Sequence, residues 1–320
     1  MTAKGNWIGA DGFTWFLGIV QDIKDPLNCG RVRVRCIGWH SDNIDELPVN
    51  QLPWSQVLMP VTSASTSSVG RSGTGLLKGS YVMGFFMDGE MAQQPIVMGS
   101  LHGIPDGSDQ GGYSDPDKIY PKYPGFPDTP NLAYDRFTED KITKDKEANV
   151  VKNVATAFNA TTWSEPLPRN GKDPIYPKNH VTQTESGHAI EIDDTTDNER
   201  IHVYHKTGTF FEIQNTGDRV TKIVGEDYEI FMKGKNVSIS GDCNVTVNGD
   251  ARLLVKGNMN AEISKDANLS IKGNLIADVS KNATLSVSGS MTHKVEGNYD
   301  IKCGNEMTIF DASGGSGIGS

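Results

Sequence analysis

The chain has 320 residues, only 36% of them hydrophobic, with 35 glycines against 11 phenylalanines and 5 tryptophans. At a mean hydropathy of -0.42 this composition excludes large cores and long buried helices, and it favours many short elements punctuated by turns. Forty acidic against 30 basic side chains leave a formal charge of -10, the wrong sign for affinity drawn from phosphates, so no nucleic-acid partner is expected.

No apolar run reaches the roughly 18 residues of a membrane helix; the densest patch is Tyr81 to Met87. Met1 to Trp7 lacks the apolar stretch of a secretory signal, so folding in a cytoplasm is expected. Cys29, Cys36, Cys243 and Cys303 show no metal or redox spacing, which predicts reduced thiols and no metal cofactor. The fold class predicted is all-β.

Residues 1–104 carry five strand-like runs, at 15–20, 31–37, 54–59, 80–86 and 95–99, separated by Gly, Pro and Asn. Five short strands in so little chain suit a small barrel. The second run alternates strictly, with Val32, Val34 and Cys36 on one face and Arg31, Arg33 and Arg35 on the other, so one face is core and the other is wet or docked. Residues 105–180 turn to Pro, Gly, Asp and Lys and read as a linker with one weak helical stripe at Val150, Val151, Val154, Ala157 and Phe158. Residues 181–216 alternate again and predict an antiparallel β segment.

Residues 217–305 fall into consecutive octads, among them GDCNVTVN, GDARLLVK, GNMNAEIS, KDANLSIK and GNLIADVS. Position 1 is Gly or Lys and position 2 is usually Asn or Asp, residues that accept a positive φ or bond their own backbone, so Gly241, Gly249, Gly257, Gly273, Gly289 and Gly297 mark the repeat turns. Positions 3, 5 and 7 are apolar while 4, 6 and 8 are mostly polar, giving one short strand with a single apolar face per octad. The predicted core is Leu253, Val255, Met259, Ile263, Leu269, Ile271, Leu275, Val279, Leu285 and Val287.

Within each octad from 249 to 288, positions 3 and 5 pair one small with one large side chain, as Ala251 with Leu253, Met259 with Ala261, and Ala267 with Leu269. Close-packed interiors demand constant volume per layer. In a single coiled chain, different octads share a layer and could balance one another. In a threefold homotrimer the same octad appears three times per layer, so the balance must be struck inside it, as it is. The apolar side chains of one octad bring roughly 1.5 to 3 kcal/mol each when large. Ordering costs roughly 1.5 kcal/mol for every residue, so a lone chain of octads should not fold. Eleven interleaved layers at about 4.8 Å spacing make a rod on the order of 50 Å long.

These octads resemble the triple-stranded β-helix of the central spike subunit in contractile-tail phages of the T-even kind, and of the related VgrG secretion spikes. Trp15 to Asp22, Asp25 to Arg35, Leu52-Pro-Trp54 and Ile96 to Gly99 are similar to the OB-fold barrel that joins that spike to the baseplate hub, and Thr184 to Asp194, Glu199-Arg200 and His205 to Thr209 resemble the β segment that opens the needle. The resemblance implies a homotrimeric baseplate spike that punctures the host outer membrane, with a hub protein at the barrel end. It also implies a virion location after assembly in the host cytoplasm. A secretion-machine spike is the alternative that the same resemblance allows.

The sequence departs from the T-even spike most in one respect: only about 75 residues separate barrel and needle, where that spike carries a lysozyme domain. The lysozyme set E-x8-D-x5-T is absent, since Glu185 and Asp194 have the first spacing but Arg200 occupies the threonine position. No enzymatic role is expected, and the strict octads leave no loops to build a cleft. Arg31, Arg33 and Arg35 beside Trp15 and Trp39 are the pattern of an oligonucleotide face, but the overall acidity and the resemblance to a hub-tethering barrel favour a solvated or hub-contacting strand face. His202 and His205, three apart in a strand, point to opposite faces and read as surface histidines. In a trimer His293 and Cys303, at inward positions, would each be triplicated, His293 as an axial ion or water site. The glycine-rich residues 306–320 cannot continue the prism and imply a separate PAAR-like tip protein.

Overall fold

The computed structural model describes residues 13–102 except 68, then 132, 133, 136, 140–168, 173–305, 307 and 308. The N-terminal segment, the first part of the linker and most of the glycine-rich end lie outside the described residues. Residues 1–250 and 251–320 form two units, described separately below.

The barrel consists of β1 (Trp15–Asp22), β2 (Val32–Cys36), β3 (Trp54–Val57), β4 (Tyr81–Phe86) and β5 (Pro95–Leu101), closed in the order β1-β2-β3-β5-β4 with β3 and β5 parallel. Each strand lies where the alternation of the sequence puts it. Phe16 and Val20 of β1, Val32, Val34 and Cys36 of β2, Val82 and Phe86 of β4 and Val97 of β5 fill the interior. Burying each large side chain stabilises the barrel by about 1.5 to 3 kcal/mol. The space is tight: a Cβ at Gly84 would collide with the Ile96 carbonyl oxygen and stand 2.5 Å from Phe16 Cζ. All four cysteines are free thiols, and burial pushes that of Cys36 up to about 12.

The basic side of β2 corrects the wet-face reading. Arg31 pairs with Asp25 at 2.6 Å, Arg33 donates to the Val49 carbonyl at 2.8 Å, and Arg35 is buried and donates to the carbonyls of Leu47 and Ser41. These guanidinium groups hold the loops that flank the strand, because a planar fork with five donors satisfies several loop carbonyls at once.

The linker is also corrected. Residues 150–158 form no α-helix: β6 (Val154–Ala155) pairs with β7 (Thr162–Trp163), Asn153 and Phe158 take positive φ, and the stripe ends in a single 3-10 turn at Ala157–Asn159. A helix lies earlier in the linker, α1 (Lys141–Ala148), capped by Asp140, whose carboxylate accepts from the Thr143 amide at 3.1 Å. Sequence periodicity missed it because the side chains it buries, Ile142, Thr143 and Lys146, are mostly polar.

A five-stranded antiparallel meander follows, made of β8 (Asn179–Gln183), β9 (Ala189–Asp193), β10 (Arg200–Tyr204), β11 (Phe210–Ile213) and β12 (Arg219–Lys222). Three of its hairpins use one turn. Gly187, Gly208 and Gly217 take φ of 92°, 95° and 83°, and each donates its amide to the carbonyl three residues back. Only glycine enters that left-handed region without strain, so the turn residues set the register of the sheet.

From residue 224 onward the backbone bends every eight residues, at 232–233, 240–241 and so on to 304–305, and is extended between bends. Within each unit these extended stretches pair with no other strand among the described residues.

Candidate functional site

The meander is inverted relative to an ordinary half-buried sheet. Its covered face carries Glu191, Asp193, Arg200, His202, Glu212 and Gln214, all buried. On the opposite face Ile190, Ile192, Ile201 and Val203 are each at least 44% exposed. Cross-strand pairing makes this face continuous: Ile190 faces Val203, which faces Phe211, and Ile192 faces Ile201, which faces Ile213. Four adjoining aliphatic side chains in water are costly, and a contiguous apolar patch of this kind marks an interaction surface.

The polar face is closed by α1 and the linker. Arg200 Nη2 meets Glu191 Oε2 at 2.5 Å and Asp140 Oδ2 at 3.3 Å, while its Nη1 reaches Glu212 Oε2 at 3.4 Å. Lys146 of α1 also pairs with Glu212, and Arg136 bonds Asp140 at 3.0 Å. Further along, Lys222 donates to Glu165 at 2.9 Å and Gln214 to the Leu167 carbonyl at 2.9 Å. The described part of the linker is thus bound along the meander.

This network sets the protonation of its members. Burial lowers Lys146 to about 8, with Glu212 pulling the other way. Burial alone would raise Glu212, but Lys146 and Arg200 hold its carboxyl low. His202 is wholly buried rather than at the surface, which corrects the sequence reading. Both of its ring nitrogens lack a hydrogen-bond partner, and Nδ1 stands 3.9 Å from Glu191 Oε2, beyond bonding distance. Burial, with Arg200 and Lys146 adding to it, lowers it to about 4, so it is neutral near pH 7. His205 is exposed, its ring centroid 4.4 Å from that of His188. Alternation separated His202 from His205 but could not say which face was covered.

Glu185 sits in the exposed β8–β9 turn and Asp194 lies just past β9, 3.6 Å from His180, while Arg200 is locked in the network. Among the described residues no three His, Cys, Asp or Glu side chains gather as a metal site. No described helix is long and apolar enough to cross a membrane.

In the second unit the predicted core side chains line the extended stretches and are all exposed in the single chain, from Ile271 at 43% to Leu269 at 80%. The glycines of the repeat lie at the bends, as their spacing requires, but not for the reason of a positive φ. None of Gly241, Gly249, Gly257, Gly273, Gly289 and Gly297 is left-handed, and a Cβ would meet nothing within 4 Å in the chain itself. Lys265 and Lys281 fill the same repeat position, which a left-handed turn would resist. His293 lies beside Tyr299, ring centroids 6.1 Å apart, and Cys303 is an exposed free thiol.

Comparison with known proteins agrees with this architecture. Residues 39–202 match the family model described as the Gp5 N-terminal OB domain, a span running from within the barrel through the linker into β10. The chain is 38% identical over 277 residues to Protein Gp5 of Vibrio phage KVP40, covering 77% of this chain and 66% of that protein. It is 36% identical over 161 residues to the pre-baseplate central spike protein Gp5 of Enterobacteria phage T4, covering 47% of this chain and 27% of that protein. The chain therefore spans less than two thirds of the length of either relative. On the closed barrel and these matches together, the chain belongs to the Gp5 family, the T-even-like central spike subunits that carry the Gp5 N-terminal OB domain.

Proposed function

We propose that the chain is the structural spike of a phage tail baseplate, a homotrimer whose octads interleave into a stiff β-prism that punctures the host outer membrane when the tail contracts. The observation that carries this reading is the regular eight-residue bend with an apolar face left open in each stretch. Such a face and such unpaired backbone are stable only when other strands cover them. The inverted meander supports the same reading, since its aliphatic face would sit against the other copies where the prism begins. Force then passes through interchain hydrogen bonds and a dry core, a task that needs no catalytic residue.

In this reading the barrel joins a baseplate hub protein, a separate PAAR-like protein caps the far end, and the particle assembles in the host cytoplasm. His293 of three copies meets near the axis in a hydrated polar layer. Light scattering on the full chain tests the core of the proposal. The expected mass is three times the 34.7 kDa of one chain, and a solitary chain would overturn it. Ile192→Asp, on a side chain exposed in the single chain, should leave the strand content intact and abolish the trimer.

A further inference from the structure

We propose that a cleft on the barrel docks an acidic peptide segment of a second protein. The cleft holds about 430 Å³ between the loop that follows β1 and the loop that follows β3, and is lined by Leu27, Cys29, Arg31, Val57, Met59 and Arg71 among others. Both walls are built rather than loose. The Asp25 carboxylate accepts from the amides of Leu27, Cys29 and Arg31 at 3.0, 2.8 and 3.2 Å and is gripped by the Arg31 side chain. That grip holds its carboxyl well below the usual range, so the carboxylate stays charged and the loop stays fixed. On the other wall Ser63 Oγ accepts from the Arg71 amide at 2.8 Å, and a Cβ at Gly70, whose φ is +119°, would stand 2.5 Å from that oxygen. The two walls approach at Gly30 and Gly73.

Charge selects the occupant. Asp25 takes Nε and Nη2 of Arg31, and among the described residues its Nη1 has no partner; the guanidinium of Arg71 likewise has no hydrogen bond or ion pair among them. On a chain of net charge -10, this cleft offers unpaired guanidinium donors and no unpaired acid among the residues that line it. Such groups suit a carboxylate, which they can bind through charge-assisted hydrogen bonds. Leu27, Val57 and Met59 supply apolar lining, so the matching segment carries an aliphatic side chain next to its acid.

Nucleic acid is the weaker fit. Base recognition without sequence preference needs an open aromatic face, and among the described residues no aromatic ring lines the cleft. The nearby Trp54 ring is already taken by Arg33 at 4.6 Å and Arg31 at 5.5 Å. The proposal does not rest on the trimeric spike: it concerns the barrel alone and survives if the chain proves solitary.

The test selects a random peptide library on the immobilised full chain, then measures the enriched peptides by fluorescence anisotropy against wild type and Arg71→Glu. An oligothymidine strand serves as the nucleic-acid probe. The expected result is enrichment of sequences with Asp or Glu beside an aliphatic residue, with affinity reduced about tenfold or more by Arg71→Glu. Bound peptide should also slow alkylation of Cys29 and leave Cys243 and Cys303 unchanged, all three being exposed thiols. Enriched peptides with no excess of acid, equal binding to Arg71→Glu, an unprotected Cys29 or tighter binding of oligothymidine would each overturn it. Unchanged melting of Arg71→Glu shows that the variant is folded.

Discussion

Arg200 and Ile201 are adjacent in β10 and face opposite worlds: the guanidinium of Arg200 is buried 2.5 Å from Glu191, while Ile201 is 47% exposed. A sheet that hides its charges and shows its aliphatic side chains reverses the usual placing of the two. The linker with α1 covers the first face in the chain itself.

Arg200 is the residue most exposed to this test. Arg200→Leu leaves Glu191, Glu212 and Asp140 facing one another without their shared cation. Breaking a buried pair from one side costs about 3 to 5 kcal/mol. Thermal unfolding followed by circular dichroism should show a lower melting temperature, and an unchanged melt would remove the network from the account of stability.

Stability should also fall in mild acid. His202 is lowered to about 4 from 6.5, so between those values the unfolded chain binds a proton that the folded chain refuses. The contribution is intact above pH 6.5, shrinks as pH drops through that window and is constant below about 4; the loss totals about 3 kcal/mol. Urea titrations at pH 7, 5.5 and 4.5 measure it, and His202→Gln should flatten the slope.

Two glycines of the barrel separate crowding from flexibility. Gly84→Ala forces a Cβ into the Ile96 carbonyl and Phe16, and overpacking should cost about 1 to 3 kcal/mol or more. Gly99→Ala, with nothing within 4 Å of the added carbon, should be close to neutral. Equal effects on barrel melting would contradict the packing described.

In the octads, Ala267→Leu should overpack three sites of a trimer at once and cost several times the about 1 to 3 kcal/mol of a single site. Leu254, at outward position 6 and 81% exposed, should accept serine without loss. Differential scanning calorimetry of the two variants decides whether position 3 is inward.

The barrel strands were legible because alternating apolar residues and glycine-rich turns are local signals, and burial of Phe16, Val20, Val82 and Phe86 follows from them directly. Helix α1 was not, because the Lys146 that anchors it is held by Glu212, 66 residues away. The covering of His202 escaped for the same reason: a strand of alternating Ile and charged residues has two candidate inner faces, and only the partner packed on it chooses between them.

The order of amino acids alone determined the five-stranded barrel, the hairpins of the meander and the eight-residue repeat, since backbone periodicity and turn chemistry act between near neighbours. Tertiary structure decided that Arg33 and Arg35 of β2 clamp the loop carbonyls of Val49, Leu47 and Ser41, and that the meander keeps its charges inside. Those outcomes depend on contacts between segments distant along the chain, where an ion's desolvation is offset only by the partners that the fold brings to it.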